Sequence, residues 1–240
     1  RDQSSCGSCW AFGSTEAFND RRCIATGDKT LLSPEDTVSC CGFLQCFSQG
    51  CNGGQPAMAW KWFTRDGAVT GGDYGETSGA TCQPYSLKPC AHHVNSTKYE
   101  PCPSSEYKTP SCKKTCSETN YPTKYADDKK KASSAYSLSG VPKIQSDLMT
   151  YGPVTAAFTV YSDFPSYKSG VYKHTTGSAL GGHAIKIIGW GTDASGQDYW
   201  IVVNSWNESW GDNGTFKIAR GTNECGIEGQ VSAGQVAKTI

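Results

Sequence analysis

The residues best suited to chemistry begin with a cysteine near the N-terminus. Cys9 lies in the motif C-G-S-C-W at residues 6–10, at the start of a predicted helix whose free N–H groups and dipole favour an anion. A thiolate is a good nucleophile, and its activation needs a base. Among the four histidines, His183 stands in the context G-G-H-A at the entry to a predicted strand. The pattern indicates nucleophilic catalysis by a cysteine–histidine pair.

Two amide side chains complete this set. Asn204 follows a predicted strand that comes after the one His183 enters, and neighbouring strands can bring the two side chains together. A neutral amide can orient an imidazole without competing for its proton, which leaves a thiolate–imidazolium pair. Gln3 can aim a side-chain N–H at a developing oxyanion, and the backbone N–H of Cys9 supplies a second donor.

Each of these residues also has an ordinary structural interpretation. A lone C-x-x-C pair is more often a disulfide or a metal site, His183 alone is more often a core histidine, and Asn204 alone is more often a turn residue. Taken together they favour catalysis. Two other classes stay open. If the chain were an inactive homologue that binds a partner, one of these residues should be missing. A disulfide-stapled adhesion or inhibitor module would explain the cysteines but not the other residues.

The elements that must hold these residues change in type along the chain. Helix signals fill the first 80 residues or so: a run from Cys9 to Arg22, a start at 33–36 with serine at the N-cap and proline next, and a run from Gln55 to Arg65. Residues 82–131 are irregular and rich in cysteine and proline. A short helix near 142–151 precedes four strand patterns, at 154–164, 183–190, 198–203 and 215–219. This order predicts an α+β chain of two lobes with a cleft between them.

Composition and charge exclude several classes of protein. The 240 residues carry 22 basic and 22 acidic side chains, which argues against a nucleic-acid partner. With 37% hydrophobic and 18% charged residues, the chain is not a disordered polyelectrolyte. The longest uncharged apolar stretch, about nine residues from Tyr199, is too short to span a bilayer. No apolar segment precedes Arg1, so we expect that a signal peptide was removed or that the chain is a fragment.

Thirteen cysteines are the outlier of the composition. So many thiols favour an oxidising compartment, and three N-x-S/T acceptors, at Asn95, Asn207 and Asn213, point toward a secretory route. An odd count leaves at least one cysteine unpaired. That cysteine either bridges to a missing segment or is a working thiol, and both can hold for different cysteines.

At these residues the chain resembles the papain-like cysteine peptidases, and among them the cathepsin B group. The C-G-[SA]-C-[WY] motif marks the nucleophile of the family. Cys9 and His183 lie farther apart than the roughly 130–150 residues usual in the family, by about what an insertion at 82–116 adds, like the occluding loop of cathepsin B. The matching segments cover nearly the whole chain: 1–3, 6–12, 40–41, 51–54, 89–93, 181–184, 204–207 and 225–228.

The resemblance implies a papain-like two-lobe fold. A helical left lobe would cover residues 1–130, including the insertion, and a β-barrel-like right lobe would cover 131–240. Trp206 would shield the hydrogen bond between Asn204 and His183, and Gly53 and Gly54 would present backbone to an extended substrate.

The resemblance also implies an activity and its setting. The protein would be a cysteine peptidase of the EC 3.4.22 type that hydrolyses peptide bonds through an acyl-thioester, in lysosomal or endosomal protein degradation, or after secretion. Peptide and protein substrates, an N-terminal propeptide and cystatin-type inhibitors would be its partners. We expect a monomer with no cofactor and no metal.

The resemblance gives the insertion a role at the substrate's C-terminus. His92 and His93 match a pair that binds the terminal carboxylate, so the enzyme would remove dipeptides beside its endopeptidase activity. His92 should also pair with Asp2 and hold the loop shut. The alternatives are two exposed loop histidines, or a zinc site, which is disfavoured because the insertion has no C-x-x-C pair.

Two positions depart from the family pattern. A second loop latch, arginine to aspartate, is matched here by Lys98 and Ser209, with Glu208 adjacent, so we predict a less firmly held loop and more endopeptidase activity near neutral pH. The glutamate that some relatives carry at the floor of the S2 pocket is matched by Gln230. A neutral amide cannot pair with guanidinium as a charge, so we predict a preference for apolar residues at P2, the second residue before the cleaved bond.

The family pattern also assigns the cysteines. It implies five disulfides: Cys6–Cys51, Cys40–Cys112, Cys41–Cys46, Cys82–Cys116 and Cys90–Cys102. With Cys9 as the nucleophile, Cys23 and Cys225 remain. By resemblance, the partner of Cys23 lies in about twenty residues that precede this chain in relatives, and Cys225 is free. We therefore expect a fragment less stable than the mature enzyme.

Overall fold

The computed structural model describes residues 1–237, and the first third of the chain is helical. Four helices occupy this region: α1 (Cys9–Thr26), α2 (Pro34–Cys40), α3 (Phe43–Cys46) and α4 (Pro56–Arg65). The helix predicted to end at Arg22 runs on to Thr26, because the first strong breaker is Gly27, which adopts a left-handed φ of 77° and closes the helix.

Local capping chemistry sets the start of α2. The N–H of Asp36 donates to the Ser33 hydroxyl oxygen at 3.0 Å, and Pro34 takes the first helical position. The one-turn helix α3 was not predicted. Its ends are tied by the Cys41–Cys46 disulfide, a constraint that hydrophobic periodicity does not reveal.

Aromatic side chains join the helices into one hydrophobic cluster. Trp60 and Phe63 lie on the same face of α4, and Phe63 stacks on Phe18 of α1 with ring centroids 4.9 Å apart. Trp10 and Phe12, next to Cys9, are buried in the same cluster. Burial of these rings fixes the N-terminal end of α1.

The second half of the chain forms one mixed sheet. Its strands are β1 (Tyr136–Leu138), β2 (Val154–Tyr161), β3 (Val171–Tyr172), β4 (Ala179–Thr192), β5 (Asp198–Val203), β6 (Thr215–Ala219) and β7 (Val231–Ala233). Their spatial order is β1-β7-β2-β4-β5-β6-β3, antiparallel except for β3 beside β6. Because β1 and β3 are the two edges, the sheet stays open, and the expected barrel-like lobe is an open sheet within residues 1–237. Helix α5 (Val141–Tyr151) covers one side.

The predicted strands 198–203 and 215–219 match β5 and β6, whereas β2 is shorter and β4 longer than predicted. β2 ends at Tyr161 because Asp163 turns the chain, accepting from the N–H groups of Thr175 and Thr176 at 2.9 and 3.2 Å. The two- and three-residue strands β1, β3 and β7 were missed, since such short segments carry almost no alternation.

Packing crosses the boundary predicted at residues 130/131. A second hydrophobic cluster lies on the sheet and includes Phe158, Trp200 and Phe216, but Ala184 of β4 and Val236 near the C-terminus pack with the helical cluster. The division predicted at residues 130/131 therefore describes the order of elements along the sequence, while packing contacts join the two parts.

Disulfides hold the irregular region between α4 and β1. The structure joins the same five pairs that the resemblance implies, and within residues 1–237 Cys9, Cys23 and Cys225 carry free thiols. In the part of the chain that is described, no helix is long and apolar enough to cross a membrane.

Helix α1 packs directly on β4, and this contact brings the two parts of the site together. A Cβ atom on Gly13 would lie 3.2 Å from the backbone of Ile185, a tight contact that glycine avoids. Lys186 of β4 reaches back to Asp20 of α1, with Nζ 2.6 Å from Oδ2. The start of α1 is therefore held against the start of β4.

Candidate active site

Cys9 is the first residue of α1 and faces the start of β4. Its Sγ accepts a hydrogen bond from the backbone N–H of Ala184 at 3.4 Å. The backbone N–H of Cys9 has no acceptor within residues 1–237 and is free to donate to a ligand. Thiolate and oxyanion donor thus meet at one helix N-terminus, where the dipole favours negative charge.

His183 lies on β4 beside this thiol. Its Nε2 is 2.8 Å from Oδ1 of Asn204, which directly follows β5, and pairing of β4 with β5 brings the two residues together as predicted. Since Nε2 is engaged with the amide oxygen, Nδ1 is the ring atom that can face Cys9. The Trp206 ring, 5.0 Å from the imidazole by centroids, covers this hydrogen bond from solvent.

The two partners shift each other's pKa. Burial opposes ionisation of Cys9, but the charge of His183 and its hydrogen bond outweigh that effect and hold the pKa of the thiol below its ordinary value. For His183, burial favours the neutral ring, but the Cys9 thiolate and the Asn204 amide raise the pKa above its ordinary value. The thiolate–imidazolium form is therefore favoured between the two titrations.

Gln3 is buried and held from several sides. Its Oε1 accepts from the Ser205 hydroxyl at 2.7 Å, and its Nε2 donates to Cys6 O at 2.9 Å. An amide nitrogen has two protons, so one remains for an oxyanion. The Tyr85 hydroxyl donates to Gln3 O at 2.8 Å. Sequence reasoning missed the supporting roles of Ser205 and Tyr85, and only the position of Ser205 beside Asn204 hinted at one of them.

The glycine pair lies across the cleft from Gln230. A Cβ on Gly54 would meet the Trp10 ring at 2.3 Å, so this position admits only glycine, and Gly53 has a φ of 106°. The backbone N–H and C=O of Gly53 both make hydrogen bonds within the protein. In the described chain neither the N–H nor the C=O of Gly54 has a hydrogen-bond partner. Gly54 can therefore pair with the backbone of an extended peptide.

A pocket of about 230 Å³ lies beside these glycines. Pro56 and Ala57 from α4 and Ala157 from β2 form its apolar walls, and Gln230 lines it with a neutral amide. No carboxylate lines the pocket among the described residues. Its lining suits an apolar side chain.

The insertion lies against Trp206, beside the reacting groups. The Cys90–Cys102 disulfide ties the base of the loop, and the N–H of Ala91 donates to Glu100 O at 2.7 Å. His92 stacks on Trp206 with centroids 5.9 Å apart, and His93 lies 5.1 Å from the same ring. Both histidines thus stand one ring away from His183.

Asp2 anchors the buried side of this loop. Its carboxylate oxygens accept from His92 Nε2 at 2.8 Å, from the N–H groups of Ser4 and Cys90 at 2.7 and 3.1 Å, and from Asn207 Nδ2 at 2.8 Å. Burial opposes ionisation, but the His92 hydrogen bond and charge, with the other donors, lower the pKa of Asp2 below its usual range.

His93 is exposed, in a left-handed conformation with φ 57°. Partial burial of its ring, and then the charges of His92 and His183, lower its pKa below the ordinary value. Protonation of His93 therefore requires acid conditions unless an anion is bound. A substrate carboxylate would supply that anion.

A model of the family described as "Papain family cysteine protease" matches residues 1–235. The chain belongs to this family. It is similar to "Cathepsin B-like cysteine proteinase 5" of Caenorhabditis elegans, with 52% identity over 98% of this chain and 68% of that protein. It is also similar to the "Gut-specific cysteine proteinase" of the same organism, with 51% identity over 98% of this chain and 68% of that protein.

A solved structure agrees in fold. ProCathepsin B S9 from Trypanosoma congolense matches with a TM-score of 0.82 and 35% identity, covering 99% of this chain and 71% of that chain. The protein is a papain-family cysteine peptidase of α+β fold, and this structural neighbour is a proform.

The second latch position of this papain-family peptidase holds an ion pair. Lys98 pairs with Glu208, the residue beside Ser209, and the Tyr99 hydroxyl donates to the same carboxylate at 2.9 Å. The Ser209 hydroxyl lies 3.3 Å from that of Ser96. The lysine hydrogen bond lowers the pKa of Glu208 to about 2. Since this ion pair is exposed, it contributes little to the stability of the closed loop. That the loop is less firmly held than in relatives stays a prediction.

One predicted glycosylation acceptor is buried, and one cluster of potential metal ligands is closed to a metal. Asn207 is buried and its Nδ2 donates to Asp2 and to Cys90 O, so the folded peptidase cannot carry a glycan there, whereas Asn95 and Asn213 are exposed. The cluster of Cys90, His92 and Cys102 has the spacing of metal ligands, but its two sulfurs form a disulfide and offer no thiolate.

Proposed function

We propose that this peptidase cleaves peptide bonds through a Cys9 thiolate and removes dipeptides from free C-termini, with endopeptidase activity beside it. The observation that carries the proposal is the position of His92 and His93 at Trp206, whose ring also contacts His183. The loop ends the cleft just past the reacting groups.

Acylation uses the thiolate–imidazolium pair. The Cys9 sulfur forms a bond to the substrate carbonyl carbon, and the oxygen that becomes negative accepts from the Cys9 N–H and from Gln3 Nε2. Protonated His183 gives its Nδ1 proton to the leaving nitrogen, the C–N bond breaks, and the C-terminal fragment departs as an amine. The N-terminal fragment stays as a thioester on Cys9.

Deacylation reverses the proton flow. Neutral His183 accepts a proton from water, the oxygen attacks the thioester carbon, and the same two donors stabilise the second oxyanion. The C–S bond breaks and restores the thiolate beside the imidazolium. Throughout, Asn204 accepts from Nε2–H, which keeps the ring in the orientation that presents Nδ1 to the sulfur.

The size of the gap favours dipeptide release. The His183–Trp206 and Trp206–His93 centroid distances of 5.0 and 5.1 Å bound the His183–His93 separation at about 10 Å. Two residues of extended peptide span roughly 6.6 Å, which leaves room for one hydrogen bond from a protonated imidazole to the carboxylate. A third residue would collide with the loop.

The chemistry of the loop and pocket sets conditions for this activity. Because the pKa of His93 is lowered, carboxylate binding should strengthen as pH falls, which suits a lysosomal or endosomal compartment, or an acidic secreted environment. The neutral pocket at Gln230 should prefer apolar P2 residues. We further propose a monomer that cystatin-type inhibitors block at the cleft.

The test compares His93→Ala with wild type on two peptides of one sequence, one with a free C-terminus and one amidated. Losing a charged hydrogen bond costs about 1.5–3 kcal/mol, so dipeptide release at pH 5 should fall about 10- to 100-fold while internal cleavage of the amide holds. His174→Ala, which removes a histidine bonded to Asp163 instead, is the matched control. Equal losses on both peptides would contradict the carboxylate role.

A further inference from the structure

Three large apolar side chains project into solvent from one short turn, residues 43–47. Phe43, Leu44 and Phe47 are 62%, 87% and 66% exposed, and the two phenylalanine rings lie 6.2 Å apart. The Cys41–Cys46 disulfide closes this turn, and both sulfurs are buried. The turn therefore holds its aromatic rings outward on a rigid base, and this arrangement plays no part in the fold or the chemistry described above.

The aromatic turn is continuous with the peptide-binding edge of the cleft. Ser48, the next residue after Phe47, places its Oγ 2.7 Å from where a Gly54 Cβ would stand and accepts from the Gln55 N–H at 3.3 Å. Phe47 therefore lies within one residue of the contact with Gly54.

The other end of the turn lies away from the cleft. Gly42 and Gln45 share a surface pocket with Trp62 and Asp66, at the C-terminal end of α4. The N-terminal end of α4, at Pro56, lines the Gln230 pocket. Since α4 is 10 residues long, about 15 Å, the aromatic turn runs along it outward from the cleft, with Phe47 nearest the substrate.

We propose that Phe47, with Phe43 behind it, forms an apolar subsite for the P4 residue of substrates, the fourth before the cleaved bond. The inference rests on the proposed function, because it requires an extended peptide paired with Gly54 and a P2 side chain in the Gln230 pocket. Two further residues extend the peptide by roughly 6.6 Å, within reach of a phenylalanine one residue from that contact.

Side-chain alternation supports this assignment. P2 and P4 side chains of an extended peptide project on the same face, whereas P3 projects on the other. An apolar P4 side chain that removes about 50 Å² of apolar surface from water would gain about eightfold in kcat/KM. Substrates of this peptidase are thus selected for apolar residues at both P2 and P4.

The experiment uses fluorogenic peptides that share Phe at P2 and Arg at P1. One ends with a blocking group before P2, and two longer ones carry Leu or Ser at P4. Wild type should prefer Leu over Ser about 5- to 10-fold, and Phe47→Ser should reduce that preference to below twofold with the short substrate unaffected. Gln45→Ser in the same turn, and Met149→Ser, an exposed apolar residue on α5, should keep it.

The outcomes separate this inference from the function on which it rests. Failure of wild type to cleave the short peptide would contradict the catalytic proposal itself. Cleavage of the short peptide with no Leu preference at P4, or a preference that survives Phe47→Ser, overturns the subsite alone. Phe47→Ser could instead change only self-association in gel filtration, or only binding to lipid vesicles. Either result would show that the turn contacts another partner and would overturn the P4 subsite.

Discussion

Replacing Asp2 with asparagine should release the loop that carries His92 and His93, which we propose closes the cleft. The carboxylate accepts four hydrogen bonds, two on each oxygen, and each oxygen has one donor from the loop: His92 Nε2 on Oδ1 and the Cys90 N–H on Oδ2. An asparagine has one oxygen, so in either orientation its NH₂ group faces one of those loop donors. The variant loses one loop contact whichever way the amide turns.

The size of the effect follows from that count. A lost hydrogen bond to a charged group costs about 1.5–3 kcal/mol, which lowers the closed-to-open ratio of the loop about 10- to 100-fold. Because internal substrates need the open loop, kcat/KM on an amidated peptide should rise by up to that factor. Dipeptide release should fall, and the exo/endo ratio should drop at least 10-fold at pH 5.

The pH dependence has a definite sign. The lowered pKa of Asp2 keeps the carboxylate ionised above pH 3.8, so its contribution is present throughout the working range and is lost only in stronger acid. Within the working range the pH dependence of dipeptide release then comes from His93, whose lowered pKa makes its protonated ring a form that acid conditions favour. The exo/endo ratio should therefore fall as pH rises in wild type and in Asp2→Asn alike, with the value for the variant lower at each pH.

A matched control lies beside the N-terminal residue Arg1. Asp73 is exposed and bonds Arg1 at 2.7 Å, so Asp73→Asn makes the same chemical change near the N-terminus without touching the loop. Active-site titration with a thiol alkylator would normalise the rates. An exo/endo ratio in Asp2→Asn within twofold of the Asp73→Asn value would refute the latch.

Three further predictions concern other parts of the site. Asn204→Ala removes the hydrogen bond that raises the His183 pKa, so the basic limb of the kcat/KM profile should move to lower pH; an unmoved limb contradicts this. Gln230→Glu should raise the Arg-Arg to Phe-Arg ratio of kcat/KM about 10-fold, and an unchanged ratio would exclude this residue from the S2 pocket. Glu208→Gln should change the exo/endo ratio less than threefold, because the pair with Lys98 is exposed; a change as large as that of Asp2→Asn would reverse the ranking of the two latches.

Local chemistry in the sequence was enough to predict much of the fold. The N-cap at Ser33, the proline at Pro34 and the strand patterns of β5 and β6 act over a few residues, and the structure follows them. The pairing of His183 with Asn204 was also predictable, since adjacent antiparallel strands place their ends together.

Long-range contacts account for what the sequence did not reveal. The local pattern at Asn207 predicts a glycosylation site. A hydrogen bond to Asp2, 205 residues away, instead holds the Asn207 side chain in a buried cluster. Tyr85 supports Gln3 across 82 residues, and the open sheet depends on edge strands too short to show a period. The ion pair of Lys98 with Glu208 joins residues 110 positions apart, a contact that no local pattern reveals.

The most direct test is digestion of one decapeptide at pH 5, once with a free C-terminal carboxylate and once amidated, followed by mass spectrometry. We predict stepwise loss of two-residue fragments from the free peptide, abolished by alkylation of Cys9, and only slow internal cuts in the amide. Internal cuts at equal rates in both peptides, or dipeptide loss that persists after Cys9 is alkylated, would contradict the account.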